Sequence, residues 1–205
     1  MNRIKILVVE DDVFIAQDIS EHLTSLDYWV TGVAYRAEEA YEELKKELPD
    51  LVLLDINLGK GEDGICIARH IQKEYQIPFI FLSSYSSSSV LERAKPTHPL
   101  GYIVKPFNEQ DLYTSIEIGL YNYAQRWQPS NWNPETINRK LVTEFTPKEV
   151  EVLQDIFEGK TNRQLSQKHH ISLNTVKTHV KRIYEKLEVH ARSEAMAKLR
   201  NKLAR

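Results

Sequence analysis

Five short apolar runs alternate with helical patterns over the first 125 residues, and this alternation limits the fold more than any other feature of the chain. The runs are Lys5–Val9, Trp29–Ala34, Leu51–Leu54, Pro78–Leu82 and Tyr102–Val104. They are short and mostly β-branched, as strands covered on both faces are. Helical periodicity fills Val13–Leu26, Ala37–Glu47, Gly64–Tyr75 and, more weakly, Ser88–Ala94, where Pro96 and Pro99 cut the pattern short. Asn108–Gln125 follows the last run. Five such units predict an α/β domain with a doubly wound parallel sheet. Ligands of such sheets bind beyond the carboxyl ends of the strands.

The pattern changes after residue 125. Residues 126–143 have no clear period and read as a linker, although Trp127 and Trp132 are expected to pack on a domain. From Phe145 the chain is helical throughout. Thr146-Pro147-Lys148-Glu149 and Thr161-Asn162-Arg163-Gln164 have the form of capping boxes, the first with proline at the opening helical position. Ser172 caps a third helix with Val176, Val180, Ile183 and Leu187 on one stripe. Ala195, Met196, Leu199 and Leu203 mark a fourth. The expected division is therefore a 1–125 domain, a 126–143 linker and a small all-α domain over 144–205.

Charge divides the same way. Residues 1–125 carry 11 Lys and Arg against 20 Asp and Glu, a net of −9; residues 126–205 carry 16 against 9, a net of +7. A split of this size predicts two domains with different partners, the basic one facing a polyanion or simply solvent. The single cysteine, Cys66 between Ile65 and Ile67, permits no internal disulfide and reads as a small core residue. No apolar stretch approaches membrane-spanning length and the N-terminus lacks a signal pattern, so a cytoplasmic protein without a membrane partner is expected.

Three of the apolar runs end in ionisable residues. Asp55 closes Leu51–Leu54, Glu10-Asp11-Asp12 follows Val9, and Lys105-Pro106 follows Val104. Charges at the ends of buried strands are costly without a task. In parallel strands they gather at one sheet edge, where Glu10 and Asp11 would repel the charge of Asp55 unless a cation intervenes. Hard oxygen ligands suit Mg²⁺. With the Ser83 hydroxyl and the Lys105 ammonium on phosphoryl oxygens, Asp55 becomes a nucleophile able to hold an acyl phosphate.

The segments Ile6-Leu7-Val8-Val9-Glu10-Asp11-Asp12, Leu54-Asp55-Ile56-Asn57-Leu58 with Asp63-Gly64, and Gly101-Tyr102-Ile103-Val104-Lys105-Pro106-Phe107 resemble the response-regulator receiver domain over residues 1 to about 125. The resemblance implies a flavodoxin-like sheet in the order 2-1-3-4-5 and phosphorylation of Asp55 by a sensor histidine kinase. It also implies Mg²⁺ held by Glu10, Asp11, Asp55 and the Asn57 carbonyl. Lys105 would pair with the phosphoryl group, and Ser83 and Tyr102 would be the switch residues. The sequence departs from the family at Ser84, where Ala or Gly is usual, and at Gly59-Lys60-Gly61-Glu62.

In the basic region, the helix from Leu173 sets Lys177, Thr178, Lys181 and Tyr184 opposite its apolar stripe, with Arg182 and Lys186 beside them. Such residues suit phosphates and base edges. The preceding helix and the His169-His170-Ile171-Ser172 turn complete a helix-turn-helix outline, with the two histidines expected on the turn surface. Phe145–Leu153, Glu158–Asn162 and Ile171–Val180 resemble the LuxR-type helix-turn-helix domain, giving a NarL/FixJ-like architecture. This implies double-stranded DNA as partner, with Lys177, Thr178 and Lys181 in the major groove and Asn162, Asn174, Thr175 and Arg182 on phosphates. It further implies a homodimer, formed on phosphorylation, through Met196, Leu199 and Leu203 of the last helix. Glu188 stands where the family often has glycine, and Ala191 replaces a capping serine.

Together these features predict a phosphorylation-dependent transcriptional regulator of a two-component system. A phosphohydrolase built on the same aspartate needs a general acid two residues further on, and Asn57 cannot serve. The chain is thus expected to promote only its own phosphorylation and dephosphorylation. A pseudo-receiver is disfavoured by the complete acidic set, and a protein-binding helical domain by the exposed basic residues.

Overall fold

The computed structural model describes residues 3–59, 61–84, 88–125, 132–141 and 143–203. The chain divides into two compact units, residues 4–119 and 120–205, the second joined by residues 1–3.

In the first unit, β1 (Lys5–Val9), β2 (Trp29–Ala34), β3 (Leu51–Asp55), β4 (Phe79–Ser83) and β5 (Gly101–Val104) form one parallel sheet in the order β2-β1-β3-β4-β5. The expected sheet is the one observed. Every residue of β3 and β4 is buried, which is why these strands are continuously apolar rather than alternating. Each fully buried Leu or Ile there contributes roughly 1.5–3 kcal/mol of transfer free energy. The strands are crossed by α1 (Val13–Ser25), α2 (Ala37–Lys46), α3 (Gly64–His70), α4 (Ser88–Ala94) and α5 (Glu109–Gln125). Asp12 starts α1 by accepting the Phe14 and Ile15 N–H groups. Asp63 starts α3 by accepting that of Cys66. The helix expected over Gly64–Tyr75 changes to a wider π turn at Ile71–Tyr75. The fourth ends in a 3₁₀ turn at Lys95–Thr97, containing Pro96.

Register fixes the site. Val9 lies beside Leu54, Asp55 beside Leu82, and Ser83 beside Val104. The residues just past these positions therefore emerge together at the carboxyl edge.

The second unit starts within the last turns of α5, where Ala124 is buried in its core. It contains α6 (Pro134–Leu141), α7 (Pro147–Phe157), α8 (Asn162–His169), α9 (Leu173–Leu187) and α10 (Arg192–Leu203). Both capping boxes form, and Ser172 accepts the Thr175 N–H at the start of α9. Residues 134–141, read as part of a linker, are instead a helix whose Ile137 is fully buried, and Trp132 packs edge-on against Phe157. Three apolar contacts spaced over few residues give no period long enough to read as a helix. Trp127 lies outside the described residues.

Candidate functional site

The carboxyl edge brings Glu10, Asp11, Asp55 and Lys105 together. Glu10 and Asp55 are buried, at 0% and 4% exposure, and Asp11 is open to solvent. One oxygen from each of the three carboxylates fits within 4.8 Å of the others. Lys105 Nζ lies 2.5 Å from Asp55 Oδ2 and also bonds Glu10 Oε2. Asp55 Oδ1 accepts the Asn57 N–H at 2.9 Å. Ser83 is buried at the end of the neighbouring strand, and its carbonyl accepts the Lys105 N–H at 2.9 Å. The backbone of β4 thus positions the lysine that faces Asp55.

Among the described residues one ammonium, that of Lys105, bonds two of the three carboxylates, Glu10 and Asp55, so these groups together carry an excess of negative charge. Burial is the main force on Glu10, and with the Asp55 charge it outweighs the Lys105 contact and pushes the Glu10 carboxyl up to about 7. Burial also opposes the charge of Lys105. Its hydrogen bonds to Asp55 and Glu10 outweigh that and hold its pKa above the usual lysine value.

Gly64 makes the edge possible. A Cβ there would stand 2.0 Å from the Asp55 carbonyl oxygen, and the Gly64 N–H bonds the Ile56 carbonyl at 2.9 Å. The start of α3 can therefore close directly on the strand that carries Asp55. Tyr102 is half-buried and edge-on to Phe81, with ring centroids 6.4 Å apart. A cavity of about 340 Å³ opens beside Lys105, lined by Ile15, Asp18, Ser84, Pro106 and Phe107 as well.

In the helical unit, Asn174, Thr175, Thr178, Lys181 and Arg182 are exposed along α9, and Lys177 is half-buried at its margin. Two expectations, for Tyr184 and for Met196 with Leu199, need correction. Tyr184 is 8% exposed and belongs to the helical core, not to the outer face. Asn162, expected on a phosphate, stands at the first position of α8 and is 8% exposed. Met196 and Leu199, expected at a dimer contact, are 4% and 0% exposed in the core of their own unit, so an interface through them would have to open it. The side chain of Leu203 lies outside the described residues.

Sequence reasoning also missed a buried ion cluster. Asp155 of α7, 1% exposed, bonds Lys160 Nζ and Lys168 Nζ at 2.6 Å and His169 Nε2 at 2.7 Å. His169 Nδ1 faces Lys148 Nζ at 2.9 Å. An ammonium only donates, so Nδ1 accepts and Nε2 carries the proton given to Asp155. His169, expected on the turn surface, is thus a buried tie between α8 and α7. The available signal was an acid directly before the apolar pair Ile156-Phe157 and two residues after Val152-Leu153. Arg192, 7% exposed, was missed as well. It donates to the carbonyls of Ile156 and Lys160, while Glu194 accepts the His190 N–H at 2.7 Å. Through these bonds the start of α10 is anchored although Ala191 offers no capping side chain.

Residues 6–117 match the response regulator receiver domain, and residues 143–199 match the bacterial regulatory proteins of the luxR family. The chain belongs to the response-regulator family. The response regulator VraR of Staphylococcus aureus strain Mu50 is 31% identical over 204 residues, with 94% of each chain covered. VraR of Staphylococcus saprophyticus is 30% identical over 199 residues, again with 94% of each covered. The transcriptional regulatory protein PdtaR of Mycobacterium tuberculosis strain H37Rv is 31% identical over 121 residues. That match covers 59% of this response regulator and 58% of PdtaR, so the chain spans little more than half the length of that relative. Among solved structures, the receiver domain of a modulated diguanylate cyclase from Desulfovibrio desulfuricans matches with a TM-score of 0.57 and 32% identity, covering 61% of this chain and 99% of that one. The BeF3-activated receiver of RstA from Klebsiella pneumoniae gives 0.52 and 32%, with 56% and 97% covered.

This response regulator accordingly has the make-up of a two-component transcriptional regulator, a receiver domain followed by a luxR-family domain. Its two domains imply a histidine kinase and DNA as partner classes. No helix among the described residues is long and apolar enough to cross a membrane.

Proposed function

We propose that Asp55 accepts a phosphoryl group from a kinase phosphohistidine and that this controls dimerisation and DNA binding. The observation that carries the proposal is the gathering of three carboxylates at the sheet edge, two of them bonded by the Lys105 ammonium, with negative charge in excess among the described residues. The donor set fits a divalent cation. Glu10, Asp11 and Asp55, with the Asn57 carbonyl, would hold Mg²⁺, which when bound offsets their charge and that of the phosphoryl oxygens.

In this mechanism an Asp55 carboxylate oxygen forms the new bond to phosphorus as the bond to the donor imidazole breaks. The cavity beside Lys105 offers the imidazole a path. Lys105, already on Asp55 Oδ2, follows the charge onto a phosphoryl oxygen, and the Ser83 hydroxyl takes a second. Drawing Ser83 toward the phosphoryl group moves the end of β4, and Tyr102 packs further inward against Phe81. The result is a population shift between two states. Asn57, exposed and without an acidic proton, offers no general acid for turnover of a phosphate monoester. On the output side, Lys177, Thr178 and Lys181 reach base edges, while Asn174, Thr175 and Arg182 take phosphates.

The test is Asp55→Asn in the full chain. DNA binding by the wild type should rise at least about ten-fold with acetyl phosphate and Mg²⁺, a bias of about 1.4 kcal/mol. The variant should keep its circular dichroism spectrum and lose the rise. An equal rise in the variant would end the proposal.

A further inference from the structure

The exposed residues of α9 form one stripe, Asn174, Thr175, Thr178, Lys181, Arg182 and Glu185. Their spacing keeps them on one face through three turns. Lys186 is exposed too but engaged elsewhere, bonding Glu149 Oε2 at 2.6 Å and the Glu144 carbonyl at 2.9 Å. Glu185 is the only acidic residue in α9, and it lies on the stripe that otherwise carries hydroxyls, an amide and cations. Its Oε1 is 3.7 Å from Lys181 Nζ, one turn back, with the two side chains 62% and 74% exposed.

We infer that Glu185 is a specificity-determining residue of the DNA interface, which suppresses sequence-independent binding more than binding to the correct site. This rests on the reading of α9 as the DNA-contact helix. In sequence-independent complexes lysines lie on the phosphate backbone. A carboxylate one turn from Lys181 then competes with the phosphates for the ammonium and repels them. At the correct site the Lys181 ammonium reaches for a base edge in the groove floor, away from both phosphates and Glu185. The cost of the acid therefore falls mainly on the wrong complexes. The C-terminal end of the helix dipole, also negative, adds to the same effect.

The experiment uses the full-length protein treated with acetyl phosphate and Mg²⁺. It compares a duplex selected from a random pool with a scrambled duplex across a salt series. Glu185→Gln should bind the scrambled duplex about five-fold tighter and the selected one less than about two-fold tighter, since one cation is released from an exposed pair. The plot of log affinity against log salt for the scrambled duplex should steepen by about 0.9, one added phosphate contact. Glu185→Asp, which keeps the charge, should stay close to wild type. Equal tightening on both duplexes, or none, overturns the inference. Lys181→Ala separates the two levels of the argument. If it binds the selected duplex as wild type does, the reading of α9 fails and the inference with it. If it loses that binding while Glu185→Gln matches wild type, only the inference falls.

Discussion

Glu10 of the receiver and Asp155 of the DNA-binding domain are both buried carboxylates, yet their protonation equilibria move in opposite directions. Burial raises the pKa of each. Beside Glu10 stand two further carboxylates and one ammonium, and its carboxyl goes up to about 7. Beside Asp155 stand Lys160, Lys168 and His169. Their hydrogen bonds outweigh burial and hold it below the usual carboxylate range. One cluster is short of positive charge and the other is satisfied by its own residues. Under the proposed function the first takes up a cation and a phosphoryl group, whereas the second ties α7 to the turn after it and to the end of α8.

The largest expected effect breaks the satisfied cluster. Asp155→Asn leaves Lys168 and His169 without their acid and Lys160 with Glu158 alone, and should cost about 3 kcal/mol. For a domain of this size that lowers its melting temperature by roughly 10–20 °C, readable by calorimetry. The same change at Asp55 should act in the other direction. Removing one carboxylate from the overcharged edge should stabilise the metal-free receiver by about 1 kcal/mol. Destabilisation by both variants would remove the distinction.

A pH series in EDTA sharpens it. For Glu10 the unfolded value near 4.5 rises to about 7 on folding. Its contribution to receiver stability is therefore present below about pH 4.5 and lost as pH rises through 7, a fall on the order of 2–3 kcal/mol. Mg²⁺ should restore that stability at pH 7.5. For Asp155 the folded value lies below the ordinary 3.8. Its contribution is present above that pH and lost as pH falls through the depressed value. Denaturant titrations at several pH values should then show the two domains losing stability at opposite ends of the range.

The smallest effect concerns an exposed carboxylate of the same DNA-binding domain. Glu188 closes α9 in a left-handed conformation, φ 53°, and its exposed side chain meets Lys198 at 3.5 Å. Glu188→Gly should stabilise the domain by about 0.5–1 kcal/mol, measured as a shift in the denaturation midpoint.

The sheet order and the acidic edge could be read early because they follow from local pattern and motif. Short apolar runs must be covered on both faces, and charges at their ends have one edge to share. The capping boxes at Thr146 and Thr161 were legible for the same reason, since each needs only four consecutive residues. The α6 helix was not, because Trp132, Ile137 and Leu141 have meaning only against Phe157 and its neighbours. Tyr184, Met196 and Leu199 show the same limit. Amphipathic spacing says that a residue lies on a face, but not which face the rest of the domain covers.

By itself the sequence determined the two-domain plan, the parallel sheet and the gathering of Glu10, Asp11, Asp55 and Lys105, because these depend on periodicity and strand ends. Tertiary structure alone decided how charge is balanced. It set the Lys105 ammonium between Glu10 and Asp55, 95 and 50 residues away in sequence, and it folded Lys160, Lys168 and His169, 5, 13 and 14 residues further along, back onto Asp155. The physical reason is that electrostatic energy depends on distance and burial, and neither is a property of neighbours in sequence.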